Sequence, residues 1–132
     1  MEKLENEICL DSDFLIDLLR KKLEPLKWLH ENSDKILYTT TINVFELFYG
    51  ANKSKRNEEL QSCEKLIGSF PILELDTISA KNAGKIAAEL EKGNKSLEFR
   101  DILIASIAIQ NKMPLKTNNK KDFMKIKELK LA

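Results

Sequence analysis

Residues 7–20 read Glu7-Ile8-Cys9-Leu10-Asp11-Ser12-Asp13-Phe14-Leu15-Ile16-Asp17-Leu18-Leu19-Arg20. A short apolar run closes on Asp11, and beyond it apolar residues return at helical spacing. The stretch reads as a buried strand feeding a helix over 13–20, with Ser12 or Asp13 as the N-cap. This rhythm recurs. A helix carries Pro25 near its start, where proline is tolerated. A strand over 36–39 leads to a helix capped by Thr40 or Thr41 and running up to Gly50. A polar, basic turn over 52–57 precedes a helix with Leu60, Cys63, Leu66 and Ile67, stopping near Gly68. A strand over 71–75, a helix over 79–91, a nearly all-apolar helix over 101–110, a strand over 113–117 and a terminal helix from Asp122 complete the series. Strands alternating with helices predict a parallel, doubly wound α/β sheet in one domain.

Four acidic or amide positions interrupt the hydrophobic pattern: Asp11 after the first strand, Glu46 within Val44-Phe45-Glu46-Leu47-Phe48, Asp101 opening Asp101-Ile102-Leu103-Ile104, and Asn119 in Thr117-Asn118-Asn119. An ionised carboxylate in apolar surroundings is costly, so it changes protonation state, finds a partner or binds metal. Three carboxylates on three segments suggest one shared partner, a hard divalent cation, and with it phosphate chemistry. The topology favours their meeting, because ligands of open α/β sheets bind beyond the carboxyl ends of the strands. Asp11 and Thr117-Asn118-Asn119 follow strands directly, Glu46 lies early in the helix after the second strand, and Asp101 stands at the positive end of a helix dipole.

Composition narrows the alternatives. The chain has 132 residues, 42% hydrophobic and 33% charged, as an ordinary single globular domain does. No apolar run approaches the roughly 20 residues that span a bilayer. The segment Met1-Glu2-Lys3-Leu4-Glu5-Asn6-Glu7 lacks the basic start and apolar middle of a signal peptide, so a cytoplasmic location is expected. Cys9 and Cys63 are read as reduced core or near-core thiols, too few for a disulfide framework. The sole histidine, His30, sits in Trp28-Leu29-His30-Glu31, far from any nucleophile signature, and is read as a surface or boundary residue. Triad hydrolases and His/Cys zinc sites are thereby disfavoured, which leaves carboxylates to carry the chemistry. The net charge is +1, but residues 112–130 hold seven lysines against Asp122 and Glu128. That segment reads either as a nucleic-acid grip or as a solvated helix face.

Four stretches together resemble the motifs of PIN-domain ribonucleases: residues 10–19, residues 39–50, the run Arg100-Asp101-Ile102-Leu103-Ile104-Ala105-Ser106-Ile107-Ala108, and Thr117-Asn118-Asn119-Lys120-Lys121-Asp122-Phe123. They occur in order and span almost the whole chain, and the nearest kin by resemblance are VapC-type toxins of toxin–antitoxin pairs. The resemblance implies one PIN domain over 1–132, with a parallel four- to five-stranded sheet between helical layers (three-layer α/β/α). It implies Mg²⁺- or Mn²⁺-dependent hydrolysis of RNA by an activated water, leaving 5′-phosphate and 3′-hydroxyl ends. Carried over by position, Asp11, Glu46 and Asp101 are metal-binding carboxylates and Asn119 is the fourth catalytic position, where many relatives have aspartate. Ser12 would orient Asp11 or a water, Thr117 would donate a hydroxyl bond near the site, and Asp122 is the nearest acid that could substitute at the fourth position. Implied partners are RNA, a small antitoxin whose extended tail blocks the acidic pocket, and a second copy in a homodimer; no membrane is involved. Three alternatives stay open: a PIN nuclease of RNA processing, a non-catalytic PIN interaction module, and a haloacid-dehalogenase-type phosphohydrolase using Asp11-Ser12-Asp13.

Overall fold

The computed structural model describes residues 6–132; the first five, on which part of the leader reading rests, lie outside the described residues. The elements follow in the order β1 (Glu7–Leu10), α1 (Ser12–Leu19), α2 (Leu23–Glu31), β2 (Ile36–Thr40), α3 (Thr41–Ser54), α4 (Asn57–Ile67), β3 (Ile72–Leu73), α5 (Thr77–Lys92), α6 (Phe99–Gln110), β4 (Leu115–Lys116) and α7 (Lys120–Phe123). The strands form one parallel sheet ordered β3-β2-β1-β4. Leu131 adds a parallel bridge to Leu115, a rudimentary fifth strand beside β4.

The strand alternation of β1 explains the three layers. Ile8 and Leu10 point to one face of the sheet, where Phe14, Leu15 and Leu18 of α1, Leu47 and Ala51 of α3 and Cys63 of α4 pack. Cys9 points to the other face, against Ala83 and Leu90 of α5, Ile104 and Ala108 of α6, and Phe123. Both cysteines are free and buried, and His30 is exposed, as the sequence reading expected. Among the described residues no helix is long and apolar enough to cross a membrane.

Several boundaries differ from the sequence reading, each for a local reason. The cap of α1 is Asp11, one residue earlier than expected, and its carboxylate accepts the Ser12 amide. Gly50 does not end α3. The helix continues to Ser54 because Ala51 is buried against α4, and it ends where Lys55 takes a left-handed conformation with φ 59°. The turn expected over 52–57 is therefore only Lys55-Arg56. The third strand pairs only through Ile72 and Leu73, and the last only through Leu115 and Lys116. α5 begins at Thr77 because Asp76 caps it by accepting the Ser79 amide at 2.7 Å. The terminal helix is one turn, opening at Lys120 instead of Asp122.

The order of strands places a switch point between β1 and β4. The chain moves from β1 outward through β2 to β3, then returns to the opposite side of β1, so the ends of β1 and β4 lie side by side. The Asp11 amide donates to the Lys116 carbonyl at 2.9 Å, which fixes the two strand ends against each other. A crevice at such a point is where open α/β sheets bind ligands.

Candidate active site

Asp11 is the buried centre of this crevice. Its Oδ1 accepts from the Ser12 amide at 2.9 Å and from Asn43 Nδ2 at 3.1 Å, and its Oδ2 accepts from Thr117 Oγ1 at 2.7 Å. Three segments distant in sequence thus converge on one carboxylate. Burial, together with the nearby charges of Asp13 and Glu46, pushes its pKa from 3.8 to about 6, although the bonds from Thr117 and Ser12 act in the opposite direction.

Glu46 faces the same pocket from the second turn of α3. Its Oε1 accepts from Ser12 Oγ at 2.7 Å, and its Oε2 lies 3.7 Å from the Arg100 guanidinium. Asp101 occupies the first turn of α6. Burial, followed by the charges of Asp11, Glu46, Glu98 and Asp122, pushes its pKa from 3.8 to about 7. Glu46 is therefore near enough to both aspartates for its charge to oppose their ionisation. Among the described residues, however, no three His, Cys, Asp or Glu side chains form a ready-made metal cage. Glu46 is turned toward Ser12 and Arg100.

The fourth position behaves differently. Asn119 caps α7, its amide donates to Thr117 Oγ1 at 3.0 Å, and its Nδ2 donates to Asp122 Oδ2 at 3.1 Å. Asp122 also pairs with Lys125 at 3.3 Å. The bonds from Asn119 and Lys125 hold its carboxyl below the usual carboxylate range. Asn119 and Asp122 thus form a coupled pair on the rim, beside the buried acids.

Ser12 has a different partner from the one expected of it. Its hydroxyl serves Glu46 rather than Asp11, and it accepts from Asn43 Nδ2 at 2.8 Å. Thr117 donates to Asp11, in line with the sequence reading.

Two residues at the site carried no role in that reading. Asn43 is fully buried and closes a capping box with Thr40, whose Oγ1 lies 2.7 Å from Asn43 Oδ1, while its Nδ2 reaches Asp11 and Ser12. Its signal was present, because an amide three residues after a capping threonine sat inside an apolar run. Arg100 bridges Glu46 and Glu98, the latter at 3.1 Å. Only its place immediately before Asp101 could have pointed to it.

The donors fit a hard cation. Every available ligand atom in the pocket is oxygen, the chemistry that suits Mg²⁺ and Mn²⁺. Burial first, and neighbouring acids second, disfavour the charged forms of Asp11 and Asp101, and a divalent ion would offset both effects. The guanidinium drawn to Glu46 shows that the pocket attracts positive charge.

Residues 8–129 match the model of the PIN domain. Ribonuclease VapC2 of Haemophilus influenzae is 32% identical over 119 residues, covering 89% of each chain. A tRNA(fMet)-specific endonuclease VapC of Salmonella typhimurium is 28% identical, covering 95% of this chain and 96% of its own. Among solved structures, VapBC2 of Rickettsia felis bound to a promoter DNA fragment superposes with a TM-score of 0.87 at 25% identity, covering 96% of this chain and 97% of that one.

Proposed function

Because this chain belongs to the PIN-domain family, we propose that it is a ribonuclease of the VapC type, the toxin of a toxin–antitoxin pair, hydrolysing RNA phosphodiesters with Mg²⁺ or Mn²⁺. The observation that carries this is the convergence of α1, α3 and the end of β4 on the buried Asp11 carboxylate at the β1/β4 switch point, with Glu46 tied in through Ser12. Asp11, Glu46 and Asp101 would hold the ion. When bound, it supplies charge neutralisation at the phosphate and makes water more acidic.

The protein's own groups prepare the site. Thr117, Ser12 and Asn43 fix the Asp11 carboxylate, so it is oriented before substrate arrives. The Ser12 hydroxyl holds Glu46 in the pocket. Asp101, whose proton affinity exceeds that of Asp11, is suited to receive a proton at its carboxylate as the attacking water loses one. Asn119 and Asp122, tied to each other and through the Asn119 amide to Thr117, add polar atoms next to the site.

An antitoxin fits the neighbouring groove. A cleft of about 310 Å³ runs between α1, α3 and α4, lined by Ile16, Leu19, Leu47 and Ala51, with Glu46 also on its wall. An apolar segment seated there could carry a basic side chain to Glu46. The family likeness also supports a homodimer, which light scattering of the free protein would test. Membership of the PIN family leaves no part for a covalent aspartyl phosphate at Asp11.

The deciding experiment compares RNA degradation by the wild type, Asp11→Asn and Asp101→Asn, with Mn²⁺ and with EDTA. Loss of cleavage in EDTA and in each variant is expected; cleavage that survives both substitutions would overturn the assignment.

A further inference from the structure

Beside the acidic pocket lies a second concavity that none of the chemistry above uses. It has a volume of about 370 Å³ and is lined by Asp17 of α1, Glu24, Trp28 and Glu31 of α2, and Lys116 and Asn118 at the end of β4. Clefts of this size accept ligands as large as a nucleotide. Lys116 Nζ sits 5.3 Å from the Trp28 ring centroid and 5.8 Å from that of Phe14, and these rings meet edge to face with centroids 5.2 Å apart. Among the described residues no carboxylate lies within ion-pairing distance of Lys116. Burial, with the charge of Lys120 nearby, lowers its proton affinity.

The two concavities share one piece of backbone. Lys116 and Asn118 line the second, whereas Thr117 between them donates to Asp11 in the first. Asn118 is anchored on both sides: its amide donates to Asp13 at 3.1 Å and its Nδ2 to Asp17 at 2.9 Å. The backbone leaving β4 therefore presents successive residues to neighbouring sites.

We propose that this cleft is a nucleotide subsite of the ribonuclease, seating the base next to the scissile phosphate against Trp28, with an adjoining phosphate on Lys116. The inference rests on the nuclease reading above. Aromatic faces hold bases of any sequence, and lysine amines hold the backbone. Glu24 and Glu31 offer acceptors for the N–H groups of a base, and Lys27 on the same lining adds a second cation beside Lys116 for the backbone. The lining thus combines an aromatic ring, acceptors and cations, which a plain row of surface lysines would not do.

Trp28 is the only tryptophan, so its emission reports this cleft alone. A single-stranded RNA of about ten nucleotides, enough to span a typical site, is titrated in EDTA against the full chain. We expect saturable quenching of Trp28. With Lys116→Met, affinity falls about tenfold and the salt dependence drops by about one phosphate. Turnover of bis(p-nitrophenyl) phosphate with Mn²⁺, which has no flanking nucleotide, stays unchanged in that variant. Trp28→Phe preserves an aromatic ring against Phe14 and should raise KM for RNA without changing kcat on the small ester. If fluorescently labelled RNA binds while Trp28 emission and the Lys116→Met affinity stay unchanged, the subsite is wrong and the nuclease reading stands. If the wild type neither binds nor cleaves RNA, both fall together.

Discussion

Ser12 Oγ donates to Glu46 Oε1 at 2.7 Å, joining the first turn of α1 to the second turn of α3 across 34 residues of sequence. This bond sets where Glu46 points, because its other oxygen meets only the longer contact to Arg100 at 3.7 Å. Replacing Ser12 by Ala should cost about 1–2 kcal/mol, since Asn43 Nδ2 and Glu46 both lose a partner. It should also weaken Mn²⁺ binding by about 10–100-fold, as loss of an orienting group around a metal ligand typically does. Ser12→Thr keeps the hydroxyl and should retain most of that affinity. Calorimetric Mn²⁺ titration of the three proteins checks this.

Asn43 joins Thr40, Asp11 and Ser12 from a fully buried position. Asn43→Ala should destabilise the fold by about 2–4 kcal/mol, because buried groups on three elements lose partners at once. Chemical denaturation gives the value. A loss under about 0.5 kcal/mol, the range of ordinary surface changes, would show that the network carries little weight.

Asp101→Asn removes a charge that Asp11 and Glu46 oppose. In EDTA the variant should be more stable than the wild type by about 1 kcal/mol, a figure reduced for the partial exposure of the group. With Mn²⁺ at about 100 times its Kd, the wild type should gain roughly 2.7 kcal/mol and the variant much less. Thermal melts with and without the ion should therefore reverse the order of the two proteins.

The same acids fix the sign of the pH response in EDTA. Asp11 and Asp101 have folded-state pKa values of about 6 and about 7, above their ordinary 3.8, so the folded protein holds their protons more tightly than the unfolded chain. Their contribution is full below about pH 4 and is lost as pH rises through the window from 4 to 7. Asp11 alone corresponds to about 3 kcal/mol of this trend. Asp76 and Asp122 act in the opposite sense, because their pKa values are lowered, but they are exposed and their effect is confined to acid solution. Denaturation midpoints at about pH 5 and about pH 8 should thus favour the lower pH.

Gly50 lies inside α3, and a Cβ built on it would meet nothing within 4 Å. Gly50→Ala should stabilise the protein by about 0.5–1 kcal/mol by restricting the unfolded chain. A measured destabilisation would mean that α3 does not run through this position.

The sequence made the architecture legible wherever local pattern and burial agree. The switch from Ile8-Cys9-Leu10 to helical spacing marked β1 and α1, and the almost wholly apolar run of α6 announced its burial. Asp11, Glu46 and Asp101 stood out because charge within an apolar run has few explanations. Prediction was weakest where a local signal was overruled by packing. Gly50 looked like a helix stop, yet the burial of Ala51 carries α3 onward. The strand limits 71–75 and 113–117 follow residue type, whereas the ladder register holds only two residues of each.

Side-chain direction, by contrast, was open until the elements met. Residue types and their spacing determined an α/β chain with acids at strand ends and helix starts, because hydrophobic periodicity and the cost of buried charge act along the sequence. Whether Ser12 would serve Asp11 or Glu46, whether Asn119 would enter the pocket or turn to Asp122, and that Lys116 and Thr117 would open onto different concavities were decided only by tertiary structure. Hydrogen bonds reach about 3 Å, so they depend on which distant segments packing brings within that radius, and local sequence carries no record of it.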